Sequence, residues 1–61
     1  MKGVSVLTVA KAASDLDIRR ERVAVMLAAG ELTRASINGR DAVLVDLRWH
    51  RAVAQSARRA A

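Results

Sequence analysis

Residues Gly30–Val45 read GELTRASINGRDAVLV, and Asn38-Gly39 stands at the centre between two runs of alternating character. A two-residue turn of type I′ needs positive φ at both positions, which makes Asn-Gly the strongest short-range signal for a β-hairpin. On the leading side Leu32, Arg34 and Ser36 alternate with Thr33, Ala35 and Ile37; on the returning side Val43 and Val45 alternate with Ala42 and Leu44. The hairpin is expected over residues 32–45. Two strands alone are marginal in water, so they must rest on elements supplied by the flanking sequence.

Upstream, Thr8 is placed to cap a helix by accepting from a free N–H of its first turn. Val9, Ala12, Ala13 and Leu16 then recur at helical spacing, which predicts a helix over 9–16. Asp17 suits a tight turn because Asp tolerates the left-handed conformation, and Ile18 returns the chain to the core. A second helix is predicted over 20–29, with Val23, Met26 and Leu27 on its inner face and Gly30 as its stop. Arg20, Glu21, Ala24 and Ala28 take the opposite face, with Arg19 and Arg22 at the edges. Downstream of the hairpin, Asp46 caps a third helix predicted over 47–58. Trp49 and Val53 are assigned to its inner stripe, with Leu47 and Ala54 nearby; Arg48, Arg51, Arg58 and Arg59 take solvent-facing or end positions, and the final Ala-Ala is expected to fray. The chain thus reads as one domain over residues 1–61, mainly α with a small β-hairpin, in the order α-α-β-β-α.

Sixty-one residues build a thin core: a chain of this size buries only about 60% of the surface its unfolded form exposes. Such domains lean on disulfides, metals or a partner. Cysteine is absent and His50 is the lone histidine, so neither disulfides nor a thiolate or imidazole metal site is expected, and a partner remains. Charge indicates its kind. Eleven Lys and Arg stand against six acidic residues, a net of +5, and arginine dominates the cations. Its planar fork of donors suits phosphates and guanine edges, so a polyanion is favoured.

His50 is the only candidate general base, no nucleophile accompanies it at a suggestive spacing, and the carboxylates are scattered singly. No catalytic residue and no cofactor is expected. Met1-Lys2-Gly3-Val4 carries one cation but no apolar stretch suited to a signal peptide, and no run approaches the about 18 apolar residues of a membrane span. Charge alone would attract the chain to an anionic membrane as well as to nucleic acid, but the helices are alanine-rich with modest apolar faces, so a membrane partner is not expected. The absence of cysteine suits a reducing interior, and the richness in Ala, Arg, Val and Asp suggests a GC-rich bacterium or its phage, so a bacterial cytoplasm is the expected location.

Helix, short turn, helix, hairpin is the order of a winged helix-turn-helix. In that arrangement the second helix enters the major groove, about 12 Å wide, and side chains near its N-terminus read base edges. Arg19, Arg20, Glu21, Arg22 and Ala24 occupy that region. Three arginines there oppose the helix dipole, which favours negative charge at an N-terminus, and become understandable if phosphates or base edges meet them. Glu21 suits a cytosine amino group and Ala24 a thymine methyl. The hairpin would extend Arg34, Asn38, Gly39 and Arg40 towards the backbone or an adjacent minor groove. Thr8 and Lys11 are expected at phosphates.

Leu7-Thr8-Val9, Ala12-Ala13, Leu16, Ile18, Val23, Met26-Leu27, Gly30-Glu31-Leu32, Gly39-Arg40 and Asp46-Leu47 together resemble the pattern of the excisionase-type, MerR-like winged helix-turn-helix family, over about Leu7 to Val53. The resemblance implies a phage recombination directionality factor. Such proteins cut nothing; several copies bind adjacent sites near an attachment site, bend the duplex and favour excision by an integrase. Double-stranded DNA, further copies of the chain and an integrase are the partners it implies. The chain departs from the family at Arg19, where Ser or Thr commonly caps the second helix, at Asp17 in place of a turn glycine, at Ala24 and Val25 in place of aromatic or basic residues, and at Asp41 in place of an aromatic. A small transcriptional regulator of the same fold is the first alternative. The second is an antitoxin-type interaction protein, since the stretch from Ala29 to Val45 also resembles the prevent-host-death antitoxins.

Overall fold

Thr8 has two structural duties. It ends a short strand, β1 (Val6–Thr8), and caps the helix that follows, α1 (Val9–Leu16), its Oγ1 accepting from the Lys11 N–H at 3.1 Å. The computed structural model of the chain describes residues 5–60, with side chains as far as Arg58; the readings placed on Met1–Val4, on the Arg59 side chain and on the end of the final Ala-Ala lie outside the described residues.

Asp17 closes α1 in the left-handed region, at φ 57 and ψ 48. Its N–H donates to Ser14 O at 3.2 Å and the Ile18 N–H to Ala13 O at 3.0 Å, the paired bonds of a Schellman motif. That motif reverses the chain within Asp17, Ile18 and Arg19 and turns Ile18 back against the core. Helix α2 (Arg20–Ala29) follows, and Gly30 ends it in the same manner. At φ 79 Gly30 donates to Leu27 O at 3.2 Å while Glu31 donates to Met26 O at 2.9 Å. Leu32, 1% exposed, is thereby driven into the interior.

The hairpin consists of β2 (Thr33–Ile37) and β3 (Arg40–Leu44), paired antiparallel with Ile37 opposite Arg40. Asn38 and Gly39 both have positive φ, 51 and 79, as a type I′ turn requires. Strand β1 pairs with the other side of β3, giving a three-stranded antiparallel sheet of order β1-β3-β2. The sequence reading did not foresee β1. Three residues are too few to show a period of two, although Val6 and Thr8 are β-branched formers of strands. Val43 therefore lies in a central strand, which accounts for its complete burial.

Asp46 caps α3 (Leu47–Ala60): its carboxylate accepts from the Trp49 N–H at 3.2 Å and its carbonyl from His50 at 3.0 Å. The helix runs past the expected end at residue 58. Its inner stripe also differs from the expectation. Trp49 and Ala52 are buried and Ser56 is half-buried, whereas Val53 is 37% and Leu47 79% exposed. Positions 49, 52 and 56 follow the three-and-four spacing of one helical face; packing chose the phase that admits a small Ala52 over the one that offers Val53. The Ser56 hydroxyl donates to Leu16 O at 2.8 Å, satisfying an open carbonyl at the end of α1.

The core gathers Ala12, Ala13, Leu16, Val23, Leu27, Leu32, Val43, Trp49 and Ala52, with Met26 only partly buried against it. No polar or charged side chain is buried among the described residues. The architecture is a winged helix-turn-helix: three helices and a small antiparallel sheet whose hairpin stands beside them.

The Thr33 hydroxyl does most to hold the Asp46 carboxyl below its ordinary value, against some desolvation, and the N–H groups of Trp49 and Arg48 and the Arg48 charge add to it. A lowered folded-state pKa stabilises wherever the unfolded carboxyl, at about 3.9, would be ionised. That stabilisation is complete above this value and fades as pH falls through the lower, folded one. Asp46→Asn should flatten the acid limb of a thermal-stability profile below about pH 4; an unchanged limb would remove Asp46 as a stabilising carboxylate.

Candidate nucleic-acid interface

Three segments distant in sequence line one open groove: Thr8, Val9 and Ala10 at the start of α1, Arg20 at the start of α2, and Ile37, Asn38, Arg40 and Asp41 around the hairpin tip. Each arrives there for a local reason. The Schellman turn at Asp17 reverses the chain so that α2 begins where α1 has just ended, and the pairing of β1 with β3 sets Thr8 opposite Ala42. The type I′ turn then sets Asn38 at the outer end of the sheet, with Arg40 beside it as the first residue of β3.

The groove is suited to an anion. The first turn of α1 leaves N–H groups without intrahelical acceptors; Thr8 takes up that of Lys11, and those of Val9 and Ala10 have no helical partner. A helix N-terminus of this kind favours negative charge. Arg20 and Arg40 add two guanidinium groups, and neither forms an ion pair among the described residues. Asp41, the one carboxylate on the groove wall, lies 3.5 Å from Arg34 on the neighbouring strand.

The expected site residues divide. Thr8, Arg20, Asn38 and Arg40 come together in this groove, with Gly39 in the turn between the last two. Arg19 is exposed at the N-cap of α2 without a side-chain cap bond, and Glu21 and Ala24 lie on the outer surface of that helix. Arg22 goes elsewhere. It lines a separate groove between α2 and α3, because two helical positions rotate it by about 200° from Arg20. Lys11 and Arg34 are both engaged, Lys11 with Asp15 at 2.9 Å one turn along its own helix and Arg34 with Asp41. Both pairs are exposed and hold their cations weakly.

The outer face of α2 beyond its first turn is small and uncharged, with Ala24, Val25, Ala28 and Ala29 all exposed. Val25, 53% exposed, was not among the expected contacts. Its signal was position: it lies about 100° from Ala24 on the helix, away from the Val23–Leu27 side. A smooth, narrow helix of this kind can approach base edges closely, and its methyl groups suit those of thymine.

No helix among the described residues is long and apolar enough to cross a membrane. Compared with known proteins, the chain matches no family model, no curated protein and no solved structure.

The hairpin tip depends on Gly39. A Cβ there would meet nothing within 4 Å, but its φ of 79 is costly for any other residue. Gly39→Ala should therefore lower stability by about 1–2 kcal/mol through the backbone alone, measured by thermal or urea denaturation. A neutral result would mean that the turn relaxes to another type.

Proposed function

We propose that the chain binds double-stranded DNA, with α2 in the major groove and the hairpin as a wing, and that it acts as an excisionase-like factor. In this reading several copies occupy adjacent sites near a phage attachment site in a bacterial cytoplasm, bend the duplex, and promote excision by an integrase. The observation that carries it is the shared groove of Arg20, Asn38, Arg40 and the open end of α1. A helix tip with unpaired N–H groups takes a phosphate without reading sequence. Arg20, one turn from Ala24, is placed for a base edge or the phosphate beside it, and Arg40 follows the same duplex outward. Glu21 and the Ala24–Val25 surface supply the sequence-dependent part, an acceptor for cytosine and methyl contacts for thymine.

A single module of this size makes few contacts, so occupancy at physiological salt requires neighbours. Binding of further copies side by side adds affinity without new base contacts, and bending increases the protein surface that each copy presents to the DNA. This is the physical basis for an architectural rather than a catalytic role.

Gel shifts on attachment-site duplexes test the reading. Arg20→Ala should cost about 1–3 kcal/mol if the contact is bidentate to guanine, and Arg40→Ala should reduce the slope of log affinity against log salt by about 0.9. Because both side chains meet one segment of duplex, their effects should be non-additive in a double-mutant cycle. A ladder of species with rising protein is expected. Wild-type affinity and salt slope for both variants would overturn the assignment.

A further inference from the structure

A second groove lies on the other flank of α2. Arg22, Arg48 and Arg51 line it, over a floor that includes Leu16 and Ala52, and Glu31 is the one carboxylate among its lining residues. It shares no lining residue with the groove at the hairpin. Two anchors of α3 create it. Arg48 Nη1 donates to Gly30 O at 3.0 Å at the end of α2, and further along Ser56 donates to Leu16 O at the end of α1. Since the end of α1 adjoins the start of α2, α3 runs back beside α2 in the opposite direction, with an open trough between them.

Arg22, Arg48 and Arg51 form no ion pair among the described residues. Three guanidinium groups facing one trough repel one another, and a single carboxylate offsets only part of that. An anion placed between them would lower the energy of all three.

A helix lying in a major groove has a phosphate backbone on either side of it. Arg20 and the hairpin tip stand on one flank of α2; Arg22 and the α3 arginines stand on the other. We propose that the α2–α3 trough seats the phosphate backbone of the second DNA strand, so that α2 is gripped between two cationic walls. The proposal rests on the DNA-binding reading above and extends it to α3, which supplies Arg48 and Arg51. It makes orientation a product of charge: one wall alone would let the helix roll within the groove, and two fix its rotation so that Ala24 and Val25 face the bases.

The test uses the full chain on one duplex, with affinity followed across salt concentration. Arg51→Ala should reduce the magnitude of the salt slope by about 0.9, and the Arg48→Ala/Arg51→Ala pair by about twice as much. Arg58→Ala, which removes equal charge outside the trough, should change it less. The Arg48→Lys/Arg51→Lys pair should keep most of the slope, because a point charge still holds phosphate. Hydroxyl-radical footprints should lose protection along one strand with Arg51→Ala and along the opposite strand with Arg40→Ala. Arg48 also caps α2, so Arg51→Ala, which breaks no hydrogen bond of the fold, gives the result independent of stability. If Arg51→Ala and the double variant keep wild-type slope and footprint while Arg20→Ala and Arg40→Ala bind weakly, the second wall is overturned and DNA binding stands. If the wild-type chain binds no duplex at low salt, both are overturned. Wild-type DNA binding by Arg51→Ala together with lost affinity for polyglutamate would assign the trough to an acidic protein surface and overturn the proposal.

Discussion

The left-handed residue Asp17 and the two hydrogen bonds it organises, from Asp17 to Ser14 O and from Ile18 to Ala13 O, decide how α2 leaves α1. The position of Arg20 relative to the start of α1 follows from that turn. Were the chain to continue helically past Leu16, Ile18 would turn to solvent and Arg20 would move away from the start of α1. Asp carries the conformation at some cost relative to glycine, but less than most residues would. Ile18 compensates by packing against the core, in the manner of the apolar contact that commonly accompanies this motif.

Around this turn the fold separates apolar from charged material almost completely. The core holds aliphatic residues and Trp49, with no buried charge among the described residues. Every described arginine is exposed, and those that line the two grooves on either flank of α2 face little opposing charge. Such a surface is electrostatically unfavourable in isolation, and in a domain this small the cost matters against a marginal total stability. A polyanion removes it, and binding to the folded state would add directly to stability. Under the proposed function the same arginines would couple recognition to folding.

Much of this was legible in the sequence. Asn38-Gly39 and Gly30 have few conformational options, so the hairpin and the end of α2 could be read from residue type; Thr8 and Asp46 announced helix starts, and α1 and α2 begin and end where their periodicity put them. Three features were not legible. Strand β1 is too short for alternation and forms because β3 offers it an edge. The inner stripe of α3 was assigned by apolar character, which favoured Val53, whereas close approach to α1 favoured Ala52. The separation of Arg20 from Arg22 depends on which helix lies on each side of α2, and adjacency in sequence conceals it. Arg48 and Arg51 are exposed, as their positions on α3 led one to expect; that they line one groove with Arg22 depends on the same packing of α3 beside α2.

The most direct measurement is an amide and arginine side-chain NMR titration of the full chain with an attachment-site duplex. Thr8–Ala10, Arg20 and Asn38–Arg40 should shift together along one binding curve, with the core amides of Val23 and Val43 little changed. Shifts confined to the outer face of α3 around Leu47 and Ala54, with the hairpin tip and the start of α1 unmoved, would contradict the DNA-binding reading.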